Sequence, residues 1–189
     1  MREREVEKMD GGMVGDEILE SLRRVPGKRW SLLLTRPRNE KWAARTLEAS
    51  GIRVYLPLLT KVEIHNRSRR ETRLPMFPGY LFACAGGAEE NVIRTNKCVR
   101  HLQTLSETDE DSLIRDLRIV RLCELQSARH ELVVNPGLRH GDAVRIKSGA
   151  FRGHEAIVVR RVDALSVIIN LDFLGRSVDM HWEAGDLEL

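Results

Sequence analysis

The chain has 189 residues, of which 42% are apolar and 31% charged, with a formal net charge of +3. That length suffices for one or two domains with cores of their own, and that composition excludes a disordered chain. No apolar run approaches the roughly 18 residues that span a bilayer, and "MREREVEKMD" lacks the apolar stretch of a secretory signal, so the chain reads as cytoplasmic with no membrane partner.

In chain order, residues 1–28 mix six basic and seven acidic residues with Gly11, Gly12 and Gly15, and read as a flexible charged tail in which "DEILESLRRV" has the makings of a short helix. From Arg29, "RWSLLLT" is an apolar run of strand length that "RPRN" breaks. Asn39 then fits the N-cap of a helix over "EKWAARTLEAS", and Gly51 fits its C′ position. "RVYLPLL" and "KVEIH" read as strands, "NRSRRE" as a polar connector, and "TRLPMFPGYLFACA" as the entry to a further strand. "EENVIRTN" predicts a short helix and "CVRHLQTL" another strand. A second long helix is expected to open at Thr108, with Asp111 completing a capping box, and to bury Leu113, Ile114, Leu117, Val120 and Leu125. These elements make residues 29–126 an α+β domain in which helices flank an antiparallel sheet. Residues 127–137, ending in Asn-Pro-Gly, read as a linker. Residues 138–189 then hold several short strand-like runs, "DAVRIKSG", "EAIVVRR", "LSVIINLD" and "SVDMHW", which can bury their faces only by curling into a small all-β barrel.

Charge and cysteine usage narrow the chemistry. Residues 29–126 carry 17 Lys/Arg against 12 Asp/Glu, whereas 139–189 carry seven against eight, so the first unit suits a polyanion better than the second. Cys84, Cys98 and Cys123 are widely spaced in apolar segments, without the pattern of a disulfide framework or a metal site. The six histidines are scattered, and no phosphate-binding loop, nucleophile elbow or metalloprotease motif is present. Neither an enzyme nor a cofactor is expected, and no catalytic or metal-binding residue is assigned.

The unusual stretch is "LPMFPGYLFACA". Of three Trp, two Tyr and four Phe in the whole chain, Phe77, Tyr80 and Phe82 fall within six positions around Pro78-Gly79. Phe77 beside two prolines suits an exposed anchor; Phe82 suits either core or surface; Trp30, opening a strand, suits the core.

The opening "RW", the following helix and "FPGYLF" after a basic hairpin resemble the N-terminal domain of the NusG family of transcription elongation factors. "GDAVRIKSGAFRGHEAIVV" resembles the KOW motif, an SH3-like barrel, with Ala156 where a glycine is usual. "TRPRNEKWAARTLEASGIRVYLP", "LPMFPGYLF" and "DFLGRSV" are similar to specialised antiterminators of the RfaH and UpxY type. The resemblance implies a factor that binds the clamp helices of the largest subunit of RNA polymerase and suppresses pausing or termination. Phe77, Tyr80, Met76 and Leu34 would form the polymerase-binding surface. Arg36, Arg38, Arg70 and Arg73 would lie near upstream or non-template DNA, with Arg67 and Arg69 in the same connector. Phe173, Leu174 and Arg176 would receive termination factor Rho or a small-subunit ribosomal protein, although Phe173 equally suits a core. The rival reading is a ribosome- or RNA-binding KOW protein, against which the net negative charge of the second unit counts.

Overall fold

The computed structural model describes residues 20–65, 68–127, 132–136, 142–145, 151–160, 165–171 and 173–182. Strand β1 (Arg29–Thr35) leads into helix α1 (Glu40–Ala49) and the short β2 (Arg53–Tyr55). Next come β3 (Leu58–His65), β4 (Ser68–Pro75) and β5 (Tyr80–Ala85). Helix α2 (Ala88–Thr95), β6 (Val99–Gln103) and α3 (Glu107–Gln126) complete the first unit. Its sheet runs β2-β5-β1-β6 with every neighbour antiparallel, and β3 and β4 pair as a separate ribbon.

Successive residues of a strand face opposite sides, and the uninterrupted apolar run of β1 reflects a sheet covered on both. Leu33, Leu81, Ala83 and Ala85 pack against Ala43, Ala44 and Leu47 of α1 and Ile93 of α2. Trp30, Leu32, Phe82 and Cys84 join Leu113, Leu117 and Val120 of α3. Trp30 is therefore core, and Phe82, fully buried, is core too. On α3 the buried stripe continues through Leu122 and Cys123, while Leu125 is only half-buried.

Cap chemistry sets the helix ends. At the end of α1, Gly51 takes φ +77°, its N–H donates to Glu48 O, and Ile52 N–H donates to Leu47 O. That is the Schellman pattern, with Ile52 buried beside Leu47. Asn39 sits at the N-cap of α1 but its side chain does not cap; its amide donates to Pro37 O instead. Helix α3 starts at Glu107 rather than Thr108 because Ser106 is the better cap: its extended backbone lets Oγ accept from Asp109 N–H and donate to the Asp109 carboxylate.

Three sequence expectations are corrected. Residues 22–28 are not a loose tail: Leu22 is in the core, and the indole N–H of Trp30, which needs an acceptor once buried, donates to Arg23 O at 2.9 Å. The connector "NRSRRE" is largely strand, since Arg70 and Glu71 lie in β4 opposite Glu63 and Val62. Pro57 separates β2 from β3, splitting the run read as one strand.

The second unit is a five-stranded antiparallel sheet, order β7-β11-β10-β9-β8, built from β7 (Leu132–Pro136), β8 (Asp142–Arg145), β9 (Glu155–Arg160), β10 (Leu165–Leu171) and β11 (Arg176–Trp182). Strand β7 falls inside the segment 127–137 expected to be linker; its β-branched "VV" pairs with Val178 and Asp179 of β11. Ala156 lies within β9 opposite Val144 and is buried. Arg38 is the one non-glycine with positive φ among the described residues, so Ala156 carries no left-handed strain; Gly153, at φ +86°, makes the turn before it.

All three cysteines are free. Burial pushes the Cys123 thiol up to about 12 from its ordinary 9.0. Burial, with the Glu124 carboxylate adding to it, holds the Tyr55 phenol well above its ordinary value. Both groups are acids with raised folded values, so their contribution to stability is complete below the unfolded values and lost as pH rises toward the folded ones. The urea midpoint is expected to hold steady from neutrality to about pH 8 and to fall as pH climbs through 9 toward 12; Cys123→Ala should flatten part of that fall.

Candidate functional site

The four residues from Met76 to Gly79 join the β3–β4 ribbon to the central strand β5. Tyr80 N–H donates to Phe77 O, and Gly79 takes φ +86°, so Phe77-Pro78-Gly79-Tyr80 is a β-turn of type II, with Pro at its second position and Gly at its third. Three further bonds pin this turn. Met76 N–H donates to Pro57 O, Gly79 O accepts from Thr35 N–H at 2.8 Å, and Gly79 N–H donates to the Glu40 carboxylate at 2.7 Å. Glu40 is buried although it is charged and sits in the first turn of α1. It was legible from sequence only as a helix former; its role needs the third dimension.

Beyond the turn, Tyr80 pairs with Leu34 across β5 and β1. Both belong to the α3-facing side of the sheet, and both are half-buried. Phe77 is not the exposed anchor expected: it is 6% exposed and, like Met76 beside it, part of the apolar cluster around Trp30. That cluster continues into Phe151, in the turn before β9, and Ala156, Leu171 and Val178 of the second sheet, with Phe173 and Leu174 packed against it. The two units thus share one apolar surface.

One buried carboxylate clamps that junction. Asp116 Oδ2, on α3, accepts from the backbone N–H groups of Phe173 at 2.9 Å and Leu174 at 3.2 Å, in the β10–β11 turn that Gly175 closes at φ +57°. Arg176 begins β11 and is half-buried.

A basic edge lies on the other side of the sheet. Arg36 and Arg38 are exposed between β1 and α1, and Arg38 takes φ 63°, a conformation costing a non-glycine residue roughly 1 kcal/mol. Lys41 Nζ donates to Arg73 O, tying α1 to β4, and Arg73 and Arg70 are both exposed along the ribbon. Arg67 and the Arg69 side chain lie outside the described residues. Sequence reasoning did not single out Glu40, Lys41 or Asp116.

Among the described residues no cluster of His, Cys, Asp and Glu could hold a metal ion, and no helix is long and apolar enough to cross a membrane.

Residues 28–121 match the NusG family, described as "Transcription termination factor nusG". This segment is a NusG-family N-terminal domain. The NusG family is one of transcription factors without catalytic chemistry. Among solved structures, "Domain interaction in Thermotoga maritima NusG" is 22% identical, over 85% of this chain and 96% of that one, at a TM-score of 0.43. Two conformations of the MjSpt4:Spt5 complex, A and B, are 17% and 15% identical, over 73% and 84% of this chain and 83% and 95% of those, at TM-scores of 0.27 and 0.26. None of the curated proteins matches the chain in sequence.

Proposed function

We propose that the chain is a transcription elongation factor of the specialised RfaH and UpxY kind, working in the cytoplasm on RNA polymerase. The observation that carries this reading is the pinned turn Phe77–Tyr80 beside Leu34, in a domain of the NusG family. An amphipathic partner helix needs a preformed apolar groove with aromatic anchors, and the clamp helices of the largest polymerase subunit supply such a helix. Tyr80 and Leu34, half-buried at the sheet end, offer first contact; Met76 and Phe77 join when the shared apolar surface opens. Bridging the clamp disfavours its opening, so elongation continues through pauses and terminators. Arg36, Arg38, Arg70 and Arg73 attract upstream or non-template DNA through phosphate contacts that read no sequence.

The second sheet, running from Leu132 rather than residue 138, serves as the KOW barrel, with residues 128–131 between the two units. Its β10–β11 turn, Phe173, Leu174 and Arg176, receives Rho or a small-subunit ribosomal protein. Because the N–H groups of Phe173 and Leu174 are held by Asp116, such a partner competes with α3 for the turn.

The test is co-migration of the purified chain with core RNA polymerase. Tyr80→Ala and Leu34→Ala, both at half-buried positions, are expected to weaken binding about thirtyfold each, the scale of an interface hot spot. Binding by the wild type that neither variant changes would move the interface elsewhere. No binding by the wild type, with retention on ribosomes or structured RNA, would favour the rival KOW-protein reading.

A further inference from the structure

We propose that the cavity at the N-terminal ends of α2 and α3 binds a short aliphatic diamine or polyamine, with one ammonium group on the Glu110 carboxylate and another on Glu90. The site lies at the far end of β5 from the Phe77–Tyr80 turn, so it does not depend on the polymerase reading.

The cavity, of about 570 Å³, has the size of a small-molecule site and is walled on one side by the turn before β1. Lys28 N–H donates to Val25 O and Gly27 takes φ +72°, so Val25-Pro26-Gly27-Lys28 is a type II turn. That turn lies against the end of β5: a Cβ on Gly86 would stand 2.2 Å from Gly27 O, an approach only glycine permits. The chain leading into the turn is fixed by Leu22 in the core, by the Trp30 indole on Arg23 O and by Arg24 on Asp111. Residues 24–27 lie before the segment that matches the NusG family, so the match carries no role for this cavity.

The charges say what fits. Arg24, Lys28 and Arg29 line the cavity, and each already has a partner. Arg24 donates twice to the Asp111 carboxylate and once to Glu107 O, Lys28 Nζ lies 2.6 Å from Glu89 Oε1, and Arg29 donates to Leu105 O. The acids are not matched in the same way. Glu110 is 3% exposed and accepts from Trp30 N–H through Oε1. Among the described residues its other oxygen makes no hydrogen bond and the carboxylate no ion pair. Glu90, on α2, reaches only Arg94, at 3.7 Å. A carboxylate in the first turn of a helix complements its dipole, but Glu107 and Asp109 do that on α3 from exposed positions. A charge buried without a counter-ion is unfavourable, and a cation beside Glu110 removes that penalty.

An anion in this cavity would meet Glu90, Glu107 and Glu110 together. No group of His, Cys, Asp and Glu among the described residues is placed to hold a metal ion. An organic ammonium needs only a charge-assisted hydrogen bond or two and a wall for its methylene groups. Val25, Pro26 and Ala85 supply that wall, and Gly27, Gly86 and Gly87 put no side chain across it. Helices α2 and α3 pack on opposite faces of the sheet, so Glu90 and Glu110 reach the cavity from two sides. That arrangement favours a cation with a charge at each end over one with a single charge.

The experiment titrates the full chain with putrescine and spermidine by calorimetry, with butylamine and magnesium chloride as controls, and follows backbone amides by NMR. The expected result is one saturable site for the diamine with a dissociation constant below about 1 mM, and shifts at the amides of Gly27, Trp30, Gly86 and Gly87. Butylamine should bind about tenfold more weakly, having one ammonium group. Glu110→Gln keeps a carbonyl acceptor for Trp30 N–H and should weaken putrescine binding about tenfold while the urea midpoint stays near that of wild type. Glu90→Gln, at a position only partly buried, tests the second contact without touching the core: it should remove the preference for putrescine over butylamine. The absence of saturable binding overturns the proposal, as does putrescine binding that neither variant changes. Magnesium chloride reproducing the amide shifts at matched ionic strength overturns it too, since the cavity would then be answering to charge screening alone.

Discussion

Glu40→Ala is expected to destabilise the first domain by about 2–3 kcal/mol, the scale of a buried hydrogen bond to a charged group together with the donor left unpaired. The Glu40 carboxylate is the acceptor for Gly79 N–H, and Gly79 O in turn accepts from Thr35 N–H, so one side chain holds the turn against both α1 and β1. With the carboxylate gone, the half-buried Gly79 amide loses its partner and the Phe77–Tyr80 turn loosens. Hydrogen exchange at Gly79 should rise, and polymerase co-migration should drop along with it, although Glu40 touches no partner itself. Glu40→Gln keeps a carbonyl acceptor and should recover more than half of the stability. A urea midpoint within error of wild type for Glu40→Ala would mean that the Thr35 bond and the conformation of Pro78 suffice to hold the turn.

This residue illustrates where sequence reading stops. Strand β1, helix α1, its Gly51 terminus and the α+β order of the first domain follow from periodicity and cap residues, because those signals are local. So does the short-strand character of the second unit. The turn at Pro78-Gly79 is legible for the same reason. What is not local was missed. A glutamate in the first turn of a helix looks like ordinary dipole complementarity, and nothing in the chain says that it reaches a turn 39 residues away. The ordering of residues 22–28 depends on the buried Trp30 indole needing an acceptor at Arg23. Strand β7 was hidden for another reason: "LVVN" is too short to show a period, and only its pairing with β11 makes it a strand. Phe77 was misread on exposure because prolines on both sides suggested an open loop. Its burial comes from long-range packing in the apolar cluster around Trp30, which no local window of sequence contains. Trp42 shows the converse: the sequence counts it among helix formers, and only the helix's orientation on the sheet leaves the indole in water.

Asp116→Ala is expected to separate the two units without unfolding the first. Its carboxylate serves the backbone N–H groups of both Phe173 and Leu174, and it does so while buried at their junction. Bonds to a charged acceptor contribute about 1.5–3 kcal/mol each, and two that share one oxygen contribute less than twice that. A loss of about 3 kcal/mol would compete with most of what holds a modest interdomain surface. The observable is local. Amide exchange at Phe173 and Leu174 should accelerate, and a protease should cut more readily near residues 128–131, while β1, β5 and α3 stay protected. Asp116→Asn, retaining one acceptor oxygen but no charge, should fall between. The functional consequence follows from the shared surface: Met76, Phe77 and Tyr80 belong to the cluster that the second sheet completes. Releasing that sheet should expose them and tighten polymerase binding, and should equally free the β10–β11 turn for its own partner. Weaker polymerase binding in Asp116→Ala, with the first domain intact, would instead make the carboxylate part of the polymerase face. Unchanged exchange at Phe173 and Leu174 would mean that apolar contact through Phe151, Leu171 and Val178 holds the units together unaided.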